Sequence, residues 1–160
     1  MPTETEEPKA KLNTKLESEG AEFLVLGQLL IRKIPASKAY TNQPNYDLVA
    51  YSPKTDKSAT IQIKARWSKK ATQFPVGKLR SDFVVLVALN RDPDGQEALA
   101  EEPEYYVLPK NAALSLVRDA DRKVPFINRD RQKLHQYRSQ WEPVRLFLDS
   151  FPRRNLRKSK

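Results

Sequence analysis

The pattern of hydrophobic and polar positions opens with a helical period. From Thr14 to the residue before Pro35, apolar residues recur every three or four positions, as they do on one side of an α-helix. The residues that fit this spacing are Leu16, Phe23, Leu26 and Leu30. Thr14 and Glu17 have the spacing of a capping box, and Pro35 ends the helix. Because the centre of the segment is apolar on nearly all sides, we expect this helix to pack against a sheet.

Several further segments have the patterns of apolar and polar residues that are typical of β-strands. Residues 46–52 and 59–67 alternate apolar and polar positions, and the sequence SPKTDKS between them is rich in turn formers, so together they predict a hairpin. Residues 82–90 form a continuous apolar run, which predicts a strand buried on both faces. A short strand is expected at 105–109, and the stretch 35–44 holds another short strand followed by a loop.

Helical spacing returns after the last of these strands. Ala112, Leu116 and Val117 predict one helix, and Pro143 suits the first turn of a final helix. Between the apolar strands lie a basic connection, KKATQFPVGKLR, and an acidic loop, RDPDGQEALAEEPE. The order of helix, strands and helices indicates an α/β protein with a mixed central β-sheet flanked by helices.

A chain of 160 residues fits one domain, which we expect to span residues 13–151. The polar residues 1–12 are expected to form a disordered arm, and residues 152–160 a basic tail. With 29 Lys and Arg against 20 Asp and Glu, the formal net charge is +9. This excess favours a polyanionic partner, with nucleic acid the first candidate. A solubility surface with basic tails would explain the same charge.

The residue types that are missing exclude several kinds of site. Without cysteine the chain has no disulfide, thiolate zinc site or cysteine nucleophile. The single histidine, His135, cannot build a zinc site of several imidazoles, and we expect it to be structural or exposed. The polar N-terminus has no apolar signal core, and no apolar run approaches the roughly 20 residues of a membrane span. We therefore expect a cytoplasmic protein without a membrane partner.

The second hairpin strand carries polar side chains in an otherwise apolar sequence. Alternation puts Gln62 and Lys64 on one face and Ile61 and Ile63 on the other. Asp47, near the start of the partner strand, can approach this polar face if the hairpin pairs, although the sequence does not fix the register. A solvated sheet face explains the same residues, with Asp47 as a turn residue that accepts a local N–H.

Glu22 is the next candidate, because it is the one charged residue between Glu19 and Arg32. With the hairpin residues it would supply two carboxylates, an amide oxygen and an ammonium group. Mg²⁺ prefers oxygen ligands and keeps several waters. A lysine beside it can orient or deprotonate water, or stabilise charge on a phosphate. These groups suit metal-assisted phosphodiester hydrolysis, whereas the alternative is a solvated helix position.

The order of these segments resembles a known superfamily. EGAEFLVLGQLL, PNYDLVAY, IQIKAR and SDFVVLVAL, followed by YYVLP, resemble the core of the PD-(D/E)xK nucleases, the restriction-endonuclease-like fold that includes archaeal Holliday junction resolvases. The resemblance covers about residues 20–110. It departs from the motif at Pro44, which lies three residues before Asp47 instead of next to it.

The resemblance implies a role for each matching residue. Asp47 resembles the first metal carboxylate, Lys64 the catalytic lysine and Glu22 the first-helix acid of several subgroups. Gln62 stands where the second acid is usual, so it offers only a neutral oxygen, and the backbone carbonyl of Ile63 could supply another. The implied activity is a DNA endonuclease that uses Mg²⁺, with Mn²⁺ as an alternative. Many such nucleases act as dimers, so a homodimer is among the expected partners.

The segment that follows Lys64 is the expected DNA-binding surface. Its cations can neutralise phosphates, and its aromatic side chains can stack on exposed bases. The cations are Lys64, Arg66, Lys69, Lys70, Lys78 and Arg80, and the aromatic residues are Trp67 and Phe74. Alternatively, both aromatic residues belong to the core. Two rival functions stay open: a nucleic-acid-binding or accessory protein with the same fold and no catalysis, and a basic protein-interaction domain.

Overall fold

A computed structural model describes residues 14–39, 45–119 and 123–150 of the chain. The segments expected to be an arm, 1–12, and a basic tail, 152–160, lie outside the described residues. None of the described helices combines the length and apolar character that crossing a membrane requires.

The described residues form helices and strands in nearly the predicted order. The α-helices are α1 (Thr14–Ile31), α2 (Lys110–Leu116), α3 (Arg131–Leu134) and α4 (Glu142–Asp149), with 3₁₀ turns at Glu97–Leu99 and His135–Tyr137. The strands are β1 (Ala36–Lys38), β2 (Leu48–Tyr51), β3 (Ser58–Ser68), β4 (Gln73–Pro75), β5 (Phe83–Arg91), β6 (Glu104–Pro109), β7 (Val117–Arg118) and β8 (Phe126–Asn128).

Five of the strands form a mixed central sheet in the order β1-β2-β3-β5-β6. Strands β3 and β5 are parallel, and the other neighbours are antiparallel. Parallel strands need a crossover connection, which here is the basic segment that contains β4. A second, antiparallel sheet has the order β4-β8-β7. The predicted α/β architecture, a mixed sheet flanked by helices, is therefore confirmed.

The central sheet separates two hydrophobic clusters, one on each face. The first lies under α1 and α4, and its strand residues include Ile61, Ile63, Val85, Val87 and Val107. The second lies under the crossover, α2 and α3, and includes Phe74, Val84, Leu86, Leu108, Ala113 and Leu134. Since β5 contributes to both clusters, the prediction of a strand buried on both faces is confirmed.

Helix α1 has the predicted position, but it buries a different face from the one its spacing suggested. Ala21, Val25 and Leu29 are fully buried, whereas Phe23 and Leu30 are 52% and 49% exposed. Nearly every position in this segment is apolar, so periodicity alone could not say which face points to the sheet. The sheet selects the face that carries the smaller Ala21 and Val25.

Strand β4 lies inside a segment that was predicted to be only a basic connection. It is three residues long and pairs Phe74 with Ile127 of β8. Such a short strand has no period of its own, because it exists only through pairing with a segment that lies some fifty residues further along the chain. The same reason explains why β8 was not predicted.

A buried arginine ties the two sheets together. Arg129, which follows β8, has a side chain only 6% exposed. Its guanidinium donates to the Lys69 carbonyl at 3.2 Å, the Asn90 side chain at 2.7 Å and the Glu104 carboxylate at 3.0 Å. These acceptors lie at the ends of β3, β5 and β6, so one side chain holds the second sheet against the central one. The charge is stabilised because a carboxylate and two further oxygens replace water.

Glu104 gathers three donors at this junction. Besides Arg129, it accepts the Tyr106 hydroxyl at 2.9 Å and pairs with Arg138 at 3.3 Å. Burial works against its charge, but the Tyr106 hydrogen bond and the two arginines outweigh this effect and lower the pKa of Glu104 below its ordinary value of 4.5.

We expect Glu104→Gln to lower the free energy of unfolding at pH 7 by about 2 kcal/mol, because the variant leaves a buried guanidinium without its counter-charge. A lowered pKa gives stability that is present above pH 4.5 and is lost as the pH falls through the native pKa. The difference between the native protein and the variant should therefore shrink below pH 4.5. Urea unfolding at pH 7 and pH 4 measures it, with the exposed Glu101→Gln as control; an unchanged difference at low pH contradicts the prediction.

Candidate functional site

Asp47 stands at the point where β2 begins and its pairing with β3 starts. Its N–H donates to the Ile61 carbonyl at 2.9 Å, and its carboxylate oxygen Oδ2 accepts the Ile63 N–H at 2.6 Å. The β2–β3 ladder begins with the pair Leu48 and Ile61, and Asp47 lies just before it. Asp47 is therefore bonded to the backbone of β3 at Ile61 and Ile63, the residues on either side of Gln62.

Gln62 is buried on that face. Only 7% of the residue is exposed, and its Oε1 has no hydrogen-bond partner among the described residues. Burying an amide oxygen without a donor is costly, so a partnerless one is uncommon in a well-packed protein. An oxygen in this state is a ready ligand for a cation or an acceptor for a bound donor.

Lys64 follows two positions later on the same face and is partly buried. At this end of the sheet the polar face carries Thr60, Gln62, Lys64 and the exposed Arg66, whereas the neighbouring β5 positions lie under the second cluster.

The backbone of β3 contributes a further oxygen. A strand residue directs its N–H and C=O to the same side. The Ile63 N–H points to Asp47, so its carbonyl points to that edge as well. Beyond Ile61, β3 has no residue of β2 opposite it. The Asp47 carboxylate accepts the Ile63 N–H in place of a strand carbonyl.

Glu22 is held in a different set of contacts. Its carboxylate pairs with Lys38 of β1 at 2.9 Å, and Glu19 pairs with the same ammonium at 3.3 Å. Burial works against the charge of Lys38, whose side chain is 8% exposed, but the hydrogen bonds and charges of Glu22 and then Glu19 outweigh it and raise the pKa of Lys38 above 10.5. Among the described contacts, none joins Glu22 to Asp47, Gln62 or Lys64.

The sequence assigns three oxygens near this part of β3 to a metal ion: the Asp47 carboxylate, the partnerless side-chain oxygen of Gln62 and the carbonyl of Ile63. Within the described ranges, no three Asp, Glu, His or Cys side chains form a cluster that could hold a metal ion. Mg²⁺ is often held by one or two carboxylates together with substrate phosphates, so a small donor set of this kind suffices.

The basic segment lies beside this face, but its aromatic residues belong to the core. Phe74 is fully buried in the second cluster, and Trp67 packs against the first cluster on the other side of the sheet from Gln62. These placements favour the core alternative for both rings. Arg66, Lys70, Lys78 and Arg80 are exposed, while Lys69 is partly buried and donates to the Leu99 carbonyl at 2.7 Å.

Two structural partners of the site were not predicted from the sequence. Lys38 neutralises Glu22, and Asp82, just before β5, accepts the Thr60 N–H at 2.8 Å and its hydroxyl at 2.9 Å. Both partnerships join segments that are distant in sequence and carry no local pattern. Pro44, the residue that departs from the motif, lies outside the described residues, and His135 is exposed, as expected.

Neither a protein-family model nor a curated protein sequence matches the chain. Among solved structures, the chain is similar to a bacterial homing endonuclease, I-Ssp6803I, with a TM-score of 0.55. The two are 20% identical in sequence, and the match covers 82% of this chain and 92% of that one. At this identity the similarity shows a shared fold.

We expect Asp47→Ala to lower the free energy of unfolding by about 1–2 kcal/mol, because the Ile63 N–H loses its acceptor. Asp47→Asn keeps a side-chain oxygen that can accept this N–H while it removes the charge, so it should cost clearly less. Urea unfolding of both variants separates the hydrogen bond from the charge. Equal losses in the two variants would show that the 2.6 Å bond does not stabilise the hairpin.

Proposed function

We propose that the protein is a metal-dependent DNA endonuclease of the PD-(D/E)xK type, with its active site at the edge of β3. The observation that carries the proposal is the buried side-chain oxygen of Gln62, which has no hydrogen-bond partner among the described residues and lies next to Ile63, whose N–H donates to the Asp47 carboxylate. The fold shared with a homing endonuclease supports the same reading.

Each residue has a distinct part in the proposed reaction. Asp47, Gln62 and the Ile63 carbonyl would hold Mg²⁺ or Mn²⁺. When bound, the cation would supply Lewis-acid activation of the phosphate and a water of lowered pKa. Lys64 orients that water or stabilises the negative charge that develops on the phosphate oxygens.

Glu22 has a more distant part, because its charge is already balanced. Its carboxylate stays with Lys38 at 2.9 Å, which supports a role in setting the local charge instead of direct binding. For Glu22 to hold a cation, the Lys38 ammonium would have to give up this partner and keep only Glu19. The proposal therefore rests on the three hairpin residues.

DNA is the substrate that the charge distribution supports. The formal net charge is +9, and exposed cations follow the Lys64 strand directly. A duplex or branched backbone lying across the polar face would meet Arg66 and Lys70 on one side and Lys78 and Arg80 beyond them. Such contacts neutralise phosphates and position the backbone without reading its sequence.

One rival function is favoured by a specific observation. Gln62 contributes no charge, so the site carries a single carboxylate, and a protein that binds nucleic acid without cutting it would have the same surface. Catalysis and binding are therefore tested separately, with the same protein and the same DNA.

We expect the protein to cleave DNA in Mg²⁺ or Mn²⁺, and Asp47→Asn and Lys64→Ala each to reduce the cleavage rate at least about 100-fold. Plasmid, branched and single-stranded DNA serve as substrates, and cleavage is followed on gels with and without EDTA. Lys54→Ala, which removes an exposed lysine in the hairpin turn, is the matched control and should cleave like the native protein.

The outcomes distinguish the proposed function from its rivals. Cleavage that is lost in both variants and kept in the control supports the endonuclease. Binding without cleavage by the native protein supports the accessory role and contradicts the enzyme. Absence of binding at modest salt contradicts both and leaves a protein-interaction domain.

We expect DNA binding to depend on salt through the exposed basic segment. The double variant Lys78→Ala/Arg80→Ala should reduce the slope of log K against log salt by about 2, because each lost phosphate contact removes roughly 0.9 of slope. Fluorescence anisotropy at several salt concentrations measures the slope. The control, Lys54→Ala/Lys110→Ala, removes the same charge from exposed positions outside the segment; an equal loss in both would assign binding to net charge alone.

A further inference from the structure

Helix α1 carries a second apolar face that the sheet does not cover. This face, which we call the outer stripe, consists of the exposed Gly20, Phe23, Leu24, Leu30 and Ile31 and the half-buried Gly27. Their spacing of three and one residues repeats along the helix, so they lie on one side of it, opposite Ala21, Val25 and Leu29.

The outer stripe is larger than the scattered apolar exposure of an ordinary surface. Leu24 is 38% and Ile31 72% exposed, and Phe23 and Leu30 lie between them. Together the four side chains present an apolar area on the order of a few hundred Å², a size that marks interaction sites on soluble proteins. Half of the large apolar side chains that are exposed in the described ranges belong to α1.

Two glycines in the stripe have no explanation within one copy of the protein. A Cβ at Gly20 or Gly27 would meet no atom within 4 Å, so neither site needs glycine for its own packing. Glycine inside a helix is unfavourable compared with alanine. Missing side chains let a second helix approach closely, and the larger neighbours Leu24 and Ile31 can then fill the gaps.

The charges at the two ends of α1 indicate which helix would fit. Glu17 lies at the start of the stripe and Lys33 follows its end, whereas Glu19 is already paired with Lys38 and Arg32 with Gln28. An antiparallel second copy would bring the acidic end of each helix beside the basic end of the other, and their dipoles would also oppose favourably. A two-fold axis between Leu24 and Gly27 would set Ile31 of one copy against Gly20 of the other.

Other occupants fit less well. The two terminal segments outside the described residues, 1–13 and 151–160, contain Met1, Leu12, Phe151 and Leu156 as their only large apolar residues, too few to cover the stripe. A two-fold interface needs a self-complementary patch, and the outer stripe with its opposite end charges has this property.

We propose that the protein forms a homodimer through antiparallel packing of two α1 helices along the outer stripe. The helix covers the sheet face opposite Gln62 and Lys64. In each copy, the sheet face that carries Gln62 and Lys64 therefore lies outside the dimer interface. The proposed dimer does not depend on whether the site is catalytic.

Sedimentation equilibrium of the full chain from about 1 to about 100 µM tests the proposal, since this range spans the Kd of a modest interface. We expect a mass of twice 18.4 kDa at the higher concentrations. Ile31→Glu should weaken dimerisation at least about tenfold, because it buries a charge in the interface. The matched control is Leu146→Glu on α4, where the native side chain is 63% exposed, and it should leave the mass unchanged.

Two further variants test the packing and the orientation. Gly27→Ala should raise the unfolding temperature of the monomer and still weaken the dimer, two opposite effects that a loss of folding cannot produce. Glu17→Lys and Lys33→Glu should each weaken the dimer, and the double variant should restore it. A native protein that stays monomeric to 100 µM, or a dimer that tolerates Ile31→Glu, overturns the proposal.

Discussion

Strand β3 determines the fold and the candidate site together, because both of its edges are paired. It is antiparallel to β2 up to Ile61 and parallel to β5 from the same residue onward. A slip of one residue would turn Ile61 and Ile63 outward and bury Gln62 and Lys64 under α1. The burial of the core therefore fixes the register, and the register in turn fixes which polar side chains share a face. The parallel pairing also requires a crossover, which is the segment that carries the basic residues.

Asp47 lies just before the first residue of β2, and its side chain bonds to β3 where β2 no longer pairs with it. Its carboxylate accepts the Ile63 N–H that a neighbouring strand would otherwise have taken. Replacing a backbone acceptor by a carboxylate brings a charge to the sheet edge, and Gln62, one residue before Ile63, has a partnerless side-chain oxygen. Proteins leave such local rules unsatisfied mainly at functional sites. The Oδ2 oxygen of Asp47 thus has a structural role, whichever chemistry the site performs.

The sequence predicted features that arise within one segment. The extent of α1, the hairpin and the buried β5 follow from period and composition, and Gln62 and Lys64 were assigned to one face by alternation alone. The features that were missed join distant segments: the inward face of α1, the pairing of β4 with β8, and the bond from Glu22 to Lys38. Trp67 illustrates the limit, since its position in a basic segment suggests DNA contact, while the packing of another element decides its surroundings.

The charge at the candidate site suggests that the binding of a cation and the binding of DNA are coupled. Glu22 is neutralised by a buried ammonium, and Gln62 has no charge, so Asp47 alone offers net negative charge to a cation. A divalent ion held by a single carboxylate and neutral oxygens is weakly bound, because most of its charge remains unbalanced. Under the proposed function, a DNA phosphate would supply the missing negative charge, and the basic segment would hold that phosphate in place. Cation and DNA should therefore each strengthen the binding of the other, since a coupling between two sites is reciprocal.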